Sequence, residues 1–327
     1  MRVLITGITG FVGSHLADYL LKIGNIEVYG LKRWRSPLDN IEHILDKIKL
    51  VNGDLRDFRS ISTLLNDINP DKIFHLAAQS FVPTSFTAPM DTVEANVLGT
   101  VNLLEAVRYK KLDPIIHICS TSEVYGNVPK EEQPITEDTH FRPQNPYGYS
   151  KCGEDLAGYL YFKAYGMKTF ITRAFSHTGP RRGDVFAASS FARQIARIEY
   201  DIQPPVIKVG NVDSVRTWMD VRDTVEAYWL LSEKRNFGEA YIVGGNTTKT
   251  IKEVLDTLIS FSMKKNEIKI ETDPTLFRPA DITLQIPDNS KLQATIEGWK
   301  PKIPFEVTMR DLLDYWRYRI RRNLRAV

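Results

Sequence analysis

Along the first half of the chain, short runs of β-branched and apolar residues alternate with longer stretches whose apolar positions recur at helical spacing. Strands are expected at residues 3–5, 27–31, 47–51, 73–76, 115–119 and 169–172, and helices at 11–23, 61–68, 91–109 and 148–165. This alternation predicts a parallel sheet with helices on both faces, because parallel strands need a crossover element between them. Right-handed crossovers make it a doubly wound α/β sheet. After Arg173 the pattern loosens, with Pro180, Pro204, Pro205, Pro274, Pro279, Pro287, Pro301 and Pro304 interrupting longer elements. This half reads as a smaller substrate-capping region, with the stretch near 220–231 returning to pack on the first.

The chain has 327 residues, 43% hydrophobic and 25% charged, enough for a packed core and contrary to wholesale disorder. A net charge of +3 does not by itself argue for nucleic acid. No apolar run is long enough to cross a membrane, and the amino-terminal run is a short strand stopped by glycine rather than a signal peptide. Cys119 and Cys152 follow no metal-ligand spacing, and the expected setting is the reducing cytoplasm, with no metal. The basic residues at 317–325 read as a solvated helix end, cations being favoured near a helix carboxyl terminus.

Gly7, Gly10 and Gly13 follow a strand and open a helix. In that context the three glycines permit, in turn, the tight turn, backbone approach to a pyrophosphate, and close packing of helix on strand. The intervening Thr9, Phe11 and Val12 complete the expected loop, and the helix amino terminus offers free N–H groups to phosphates. A carboxylate after the second strand would select NAD, but the chain reads Lys32-Arg33-Trp34-Arg35-Ser36. Arg33 and Arg35 therefore suggest the 2′-phosphate of NADP, to which a guanidinium donates two hydrogen bonds. Asp54 and Leu55 after the third strand are expected near the adenine, and Leu76, Ala77 and Ala78 after the fourth leave room for ribose and phosphates. Residues 1–175 thus form an NADP-binding Rossmann domain, with 211–235 returning to it, and 176–327 are mainly the substrate-binding region.

Tyr147 precedes Lys151 by four residues, which on a helix places both on one face. An ammonium near a phenol favours the phenolate, so Tyr147 is expected to have a lowered pKa and to act as a base toward a sugar hydroxyl. Thr121 and Glu123 follow the fifth strand, whose carboxyl end borders the ligand crevice of an open parallel sheet. The hydroxyl can polarise a substrate oxygen and the carboxyl can move protons. A non-catalytic dinucleotide sensor on this fold would need neither the Tyr/Lys pair nor the acid.

Together these motifs make the chain resemble the extended short-chain dehydrogenases/reductases over nearly its whole length. Within that group it looks most like the GDP-mannose 4,6-dehydratases, through Gly7-Ile8-Thr9-Gly10, Ala77-Ala78-Gln79-Ser80, Ser120-Thr121-Ser122-Glu123 and Pro146-Tyr147-Gly148. Further matches are Pro180-Arg181-Arg182-Gly183, Gly210-Asn211-Val212-Asp213, Arg278-Pro279-Ala280-Asp281 and Gly298-Trp299-Lys300-Pro301. The resemblance implies an internal redox cycle that turns a GDP-hexose into its 4-keto-6-deoxy form. Tyr147 would deprotonate the carbon-4 hydroxyl, Thr121 would bond its oxygen, and Glu123 would remove the carbon-5 proton and assist loss of water from carbon 6. It also implies Ser85, Ser122, Ser176, Arg182, Arg216 and Arg278 as contacts to the GDP-sugar, and a homodimer or homotetramer through the helices at 91–109 and 148–165. Some segments depart toward a GDP-4-keto-6-deoxymannose reductase: Ser176-His177-Thr178-Gly179-Pro180 and Met219-Asp220-Val221-Arg222-Asp223. That reductase, or a GDP-heptose 4,6-dehydratase, is the alternative.

Overall fold

The computed structural model describes residues 1–277 and 279–325. The chain opens with β1 (Arg2–Thr6), α1 (Phe11–Ile23), β2 (Glu27–Lys32), β3 (Lys49–Asn52), α2 (Phe58–Ile68) and β4 (Lys72–His75). Then come α3 (Val82–Thr87), α4 (Pro89–Val93), a π-helical turn (Glu94–Leu98), α5 (Gly99–Tyr109) and β5 (Ile115–Thr121). A 3₁₀ turn (Ser122–Tyr125) leads toward α6 (Pro146–Tyr165), β6 (Thr169–Ala174) and β7 (His177–Thr178). The second half holds α7 (Ala187–Glu199), β8 (Val206–Val209), β9 (Val215–Asp220), α8 (Val221–Lys234), β10 (Ala240–Val243), β11 (Thr247–Thr250) and α9 (Ile251–Ser260). It ends with β12 (Lys269–Thr272), β13 (Leu284–Gln285), α10 (Ser290–Thr295) and α11 (Phe305–Arg325).

Seven parallel strands form the main sheet in the order β10-β6-β5-β4-β1-β2-β3, a Rossmann-type α/β arrangement. Alternation along β1 decides its two faces. Val3 and Ile5 join Phe74, Tyr228 and Trp229 under α1 and α8, while Leu4 joins Ile73, Leu103 and Ile116 under α2, α5 and α6. Strands buried on both faces read as nearly continuous apolar runs, which made the first half legible. A second sheet, β11-β9-β13 with β7 paired to β9, sits beside the carboxyl end of the first. A third core gathers α7, α9 and α11. Within 211–235, β9 belongs to this second sheet, whereas α8 packs with the main one. β10 extends the main sheet beyond β6.

The expected single helix over 91–109 is interrupted by the π turn. An extra residue in the turn rotates Asn96 inward. Its Oδ1 accepts from the Gln79 N–H at 2.7 Å, and its Nδ2 donates to the Gln79 carbonyl at 3.0 Å and to Ser150 Oγ at 2.8 Å. One amide thus joins the loop after β4 to the tyrosine helix α6.

The basic carboxyl-terminal helix is tied to acids rather than free: Arg317 pairs with Glu199, Arg319 with Asp39 and Arg322 with Glu42. No helix among the described residues is long and apolar enough to cross a membrane. Cys119 and Cys152 are free thiols, and the described residues include no metal-binding cluster.

The Arg173 guanidinium on β6 binds both oxygens of Asp155 on α6, at 2.8 and 3.0 Å, and donates to Tyr125 and to the Glu137 carbonyl. Truncation to Asp155→Ala leaves a buried cation unpaired. It is expected to cost about 3–5 kcal/mol, read from the urea midpoint at unchanged slope. A loss below about 1 kcal/mol would show that this pair behaves as a surface bridge.

Candidate active site

A cleft of about 1040 Å³ runs along the carboxyl ends of the main strands, between the two sheets. Its floor is the turn from β1 to α1. Gly7 has φ of 74°, and a Cβ there would lie 2.9 Å from the Ala77 backbone. A Cβ on Gly13 would lie 2.3 Å from the Gly7 carbonyl oxygen. The turn is therefore closed to larger residues, and what it presents is backbone. No side chain among the described residues caps α1, which leaves its first N–H groups open to a phosphate. Gly10, Thr9, Phe11 and Val12 line the same floor.

The wall from β2 to β4 carries Arg33, Asp54, Leu55, Leu76, Ala77 and Ala78. Asp54 holds Arg56 through two contacts, at 3.1 and 2.9 Å, which fixes its carboxylate at the cleft edge. Arg35 departs from expectation. The Ser36 N–H bonds the Arg33 carbonyl at 3.0 Å, closing a turn that keeps Arg33 and Ser36 on the cleft side. Arg35 stays outside the lining, its guanidinium 4.6 Å from the centre of the Trp34 ring.

Thr121, Glu123, Tyr147 and Lys151 meet at the centre of the cleft. The meeting follows from the start of α6. Asn145 caps this helix by accepting the Gly148 N–H at 2.7 Å, and its amide donates to Glu123 Oε2 at 2.8 Å. The same residue starts the tyrosine helix and holds the carboxylate of the preceding loop beside it. Thr121 Oγ1 accepts the Glu123 N–H at 3.3 Å. On the opposite side, Ser122 and Gln285 bond reciprocally, hydroxyl to Oε1 and Nε2 to carbonyl, both at 3.0 Å. These bonds join the loop after β5 to β13 of the second sheet.

The electrostatics correct one expectation. Tyr147 opens on the cleft but is otherwise enclosed, and burial pushes its phenol up to about 12. Lys151 favours the anion, as spacing predicts, and the nearby Thr121 hydroxyl does too; Cys119 and Glu154 oppose it. Burial alone would depress the Lys151 ammonium, but attraction to Glu154, Tyr147 and Cys119 outweighs it and holds the group above its ordinary range. Burial also pushes Arg182 down, to about 10. That guanidinium stacks on Phe186 at 3.6 Å and Phe11 at 5.0 Å. It faces the cleft as a cation suited to an anionic ligand.

The substrate contacts expected from sequence divide. Ser122, Ser176, Arg182 and Arg216 line the cleft. Arg216 also donates to the Val215 and Ile282 carbonyls, at 2.9 and 2.6 Å. Ser85 does not reach the cleft: α3 turns Val82, Pro83, Phe86 and Thr87 toward it, while the buried Ser85 hydroxyl donates to the Val82 carbonyl at 2.7 Å. Arg278 lies outside the described residues. Sequence reasoning missed Asn145, Gln285, His177 and Lys208, of which the last three line the cleft. His177 stacks on Phe11 and is kept neutral, burial lowering it to about 4. Only Asn145, before Pro146 at a helix start, carried a signal that could have found it.

Residues 4–312 match the family model for GDP-mannose 4,6 dehydratase. The chain is 35% identical to GDP-mannose 4,6 dehydratase 1 of Arabidopsis thaliana, over 95% of this chain and 88% of that protein. It is 32% identical to GDP-6-deoxy-D-mannose reductase of Pseudomonas aeruginosa, over 98% of both chains. The structure of RMD from Pseudomonas aeruginosa complexed with NADPH superposes with a TM-score of 0.83 and 30% identity, covering 97% of this chain and 99% of that one.

Replacing Arg33 with alanine is expected to weaken NADP by roughly 10- to 100-fold, the scale of one charge-assisted hydrogen bond. Arg35→Ala should cost less than about fivefold, as an exposed charge does. Fluorescence titration with NADP and NAD measures both, and equal losses from the two arginines would contradict the geometry.

Proposed function

The chain belongs to the GDP-mannose 4,6-dehydratase family, and on that premise we propose that it converts a GDP-hexose into its 4-keto-6-deoxy form by internal hydride transfer. It is an NADP-dependent lyase of the short-chain dehydrogenase/reductase type. The observation that carries this reading is the Glu123 carboxylate beside Tyr147, held there by the residue that caps the tyrosine helix. A ketoreductase or 4-epimerase needs the phenol, the ammonium and a hydroxyl, but no base for carbon 5.

The glycine turn and the open start of α1 fit a dinucleotide pyrophosphate, since a Cβ at Gly7 or Gly13 would close the cradle. Bound NADP supplies a hydride acceptor and later a hydride donor, so no reductant is consumed. Tyr147 takes the proton of the carbon-4 hydroxyl, while Thr121 holds that oxygen. With a ketone at carbon 4, the carbon-5 hydrogen is acidic. Glu123 removes it and passes a proton to the departing carbon-6 hydroxyl. Arg182, stacked on Phe186 and Phe11, offers its charge to the sugar nucleotide's pyrophosphate, with Arg216 and Arg278 as further cations. Residues 1–175 with α8 serve the cofactor, and most of the remainder of 176–327, β9 with Arg216 included, serves the GDP-sugar.

A second reading, GDP-4-keto-6-deoxymannose reductase, is favoured by the 98% two-way coverage with the Pseudomonas aeruginosa reductase and by Ser176-His177 in the cleft. Purified enzyme with GDP-mannose and no added reductant separates them. Loss of water with a 4-keto-6-deoxy product supports the dehydratase; turnover only on a 4-keto sugar with NADPH supports the reductase.

We place the enzyme in the cytoplasm as a homo-oligomer. Tyr149, Leu156 and Leu160 are 62%, 57% and 54% exposed along one side of α6, and Leu98 at the end of the π turn is 52% exposed. An apolar stripe on paired helices fits a second copy of the chain better than water.

Three outcomes are expected. Tyr147→Phe abolishes turnover and leaves NADP binding intact, measured by product formation and cofactor titration. Glu123→Gln still reduces the cofactor from substrate but slows elimination roughly 10²- to 10⁴-fold; normal deoxy-sugar output from this variant removes Glu123 from the mechanism. Leu156→Asp with Leu160→Asp gives a monomer by light scattering, and an unchanged mass would place the interface elsewhere.

A further inference from the structure

A glutamine of the second sheet holds the loop that carries Glu123, and the reaction as described gives it no part. Gln285 is one of the two residues of β13 and is 1% exposed. Both ends of its amide are committed to one residue: Oε1 accepts from the Ser122 hydroxyl and Nε2 donates to the Ser122 carbonyl, each at 3.0 Å. Ser122 is itself 5% exposed and stands between Thr121 and Glu123. Two directed bonds from one planar group to one residue fix that residue's rotation as well as its place. Burial makes the clamp costly to break, because the Ser122 hydroxyl and carbonyl would lose these partners away from bulk water.

The strand that presents Gln285 is short but anchored along both edges. On one edge, Leu284 and Gln285 pair in parallel with Val215 and Arg216 of β9, and the Thr217 hydroxyl donates to the Gln285 carbonyl at 3.4 Å. On the other, the Gln133 side chain brackets the strand: Nε2 donates to the Leu284 carbonyl at 3.4 Å, and Oε1 accepts from the Ile286 N–H at 3.1 Å. The Ile135 N–H then bonds the Ile286 carbonyl at 2.8 Å. The loop's own bonds leave this clamp a task. Asn145 holds the tip of Glu123, at Oε2, whereas the Glu123 N–H reaches Thr121 Oγ1 only at a long 3.3 Å. Gln285 fixes the backbone from which the Glu123 side chain springs.

We propose that Gln285 is a positioning residue for Glu123, acting through Ser122: it sets where the carboxylate stands relative to carbon 5 of the sugar. It also ties that placement to β9, whose Arg216 lines the same cleft opposite Gln285 in the strand register. One pair of strands thus offers a cation to the nucleotide half and locates the base for the sugar half. The step this serves is a proton transfer. The carbon-5 C–H bond breaks, its electron pair moves into an enolate on the carbon-4 oxygen, and the proton passes to the Glu123 carboxylate. A base must come within hydrogen-bond reach of the proton it takes. A displacement of about 1 Å can cost ~10²-fold in rate.

The inference rests on the proposed reading of Glu123 as the carbon-5 base, but not on whether the enzyme eliminates water or reduces a ketone. Its test uses GDP-4-keto-6-deoxymannose, the product under one reading and the substrate under the other. The whole enzyme, loaded with oxidised NADP and given no reductant, is incubated with this sugar in heavy water. Deuterium entering at carbon 5, less the enzyme-free rate, reports the proton transfer alone. Exchange by the unsubstituted enzyme should fall roughly 10²- to 10⁴-fold in Glu123→Gln. Gln285→Met, similar in length but unable to hold Ser122, should slow exchange roughly 10- to 100-fold and leave the dissociation constant of GDP unchanged by calorimetry. Added to Glu123→Gln, it should slow the residual exchange no further, since a base that is absent cannot be misplaced. Ser122→Ala, which removes one of the two bonds, should fall between Gln285→Met and the unsubstituted enzyme. Unaltered exchange in Gln285→Met, or an equal further loss in the Glu123→Gln background, overturns the role. So does a loss of GDP affinity in step with the loss of exchange, which marks a general disturbance of the second sheet. No Glu123-dependent exchange in the unsubstituted enzyme overturns both this inference and the reading of Glu123 as the base. Normal exchange without dehydration of GDP-mannose overturns the dehydratase reading alone. Should Gln285→Met not fold, Ser122→Ala carries the same comparisons.

Discussion

The close approach of α6 to β5 and β6 is the constraint on which the site depends. Gly158 makes that approach possible: a Cβ there would already stand 3.1 Å from Ile118 and from Ile171. Two polar anchors then fix the helix along its axis. Asp155 grips Arg173 of β6, and Asn145 closes the first turn while holding Glu123. The first turn of α6 therefore stands at the carboxyl ends of the strands, where the β1–α1 turn also opens. Tyr147 and Lys151 reach the cleft because the rest of their helix cannot move away from the sheet.

Charge in and beneath this cleft is largely cancelled or kept neutral. Burial keeps His75, His117 and His177 neutral, so no imidazolium competes for an anion. Asp155 and Arg173 cancel, and Lys151 and Glu154 cancel. Arg182 stands beside aromatic rings, Arg33, Lys208 and Arg216 line the same cleft, and backbone N–H groups open onto it at the start of α1. Cations and N–H groups both suit phosphates, which is what a dinucleotide and a sugar nucleotide share. Dehydratase and reductase sites can be built on this plan alike, and the acid beside Tyr147 tilts the choice toward elimination.

The two sheets are coupled at that same point. Ser122, next to Glu123, exchanges hydrogen bonds with Gln285 of β13, and β13 pairs with β9, the strand that bears Arg216. The loop that carries the acid and the strand expected to meet the nucleotide are thus part of one hydrogen-bonded assembly. Displacement of the second sheet would be felt directly at the loop that carries Glu123.

Local rules determined much of this protein. Glycine at 7, 10 and 13, the run of buried strands, and Tyr147 four residues before Lys151 each express a short-range requirement, of backbone geometry, of burial on two faces, or of helical spacing. What depends on distant partners was not legible. Nothing near Arg35 says that a turn would send it outward while Arg33 stays in, and Ser85 became internal because of which side of α3 met the cleft. The π turn that aims Asn96 at Gln79 and Ser150 breaks a stretch whose periodicity reads as one helix. Helical spacing rightly gave the sign of the lysine's effect on Tyr147, but not the outcome, because burial and the carboxylate of Glu154 act against it. Sequence sets which groups a segment can offer. Only the tertiary structure decides which are desolvated and which meet, and those two conditions set the chemistry of a buried charge.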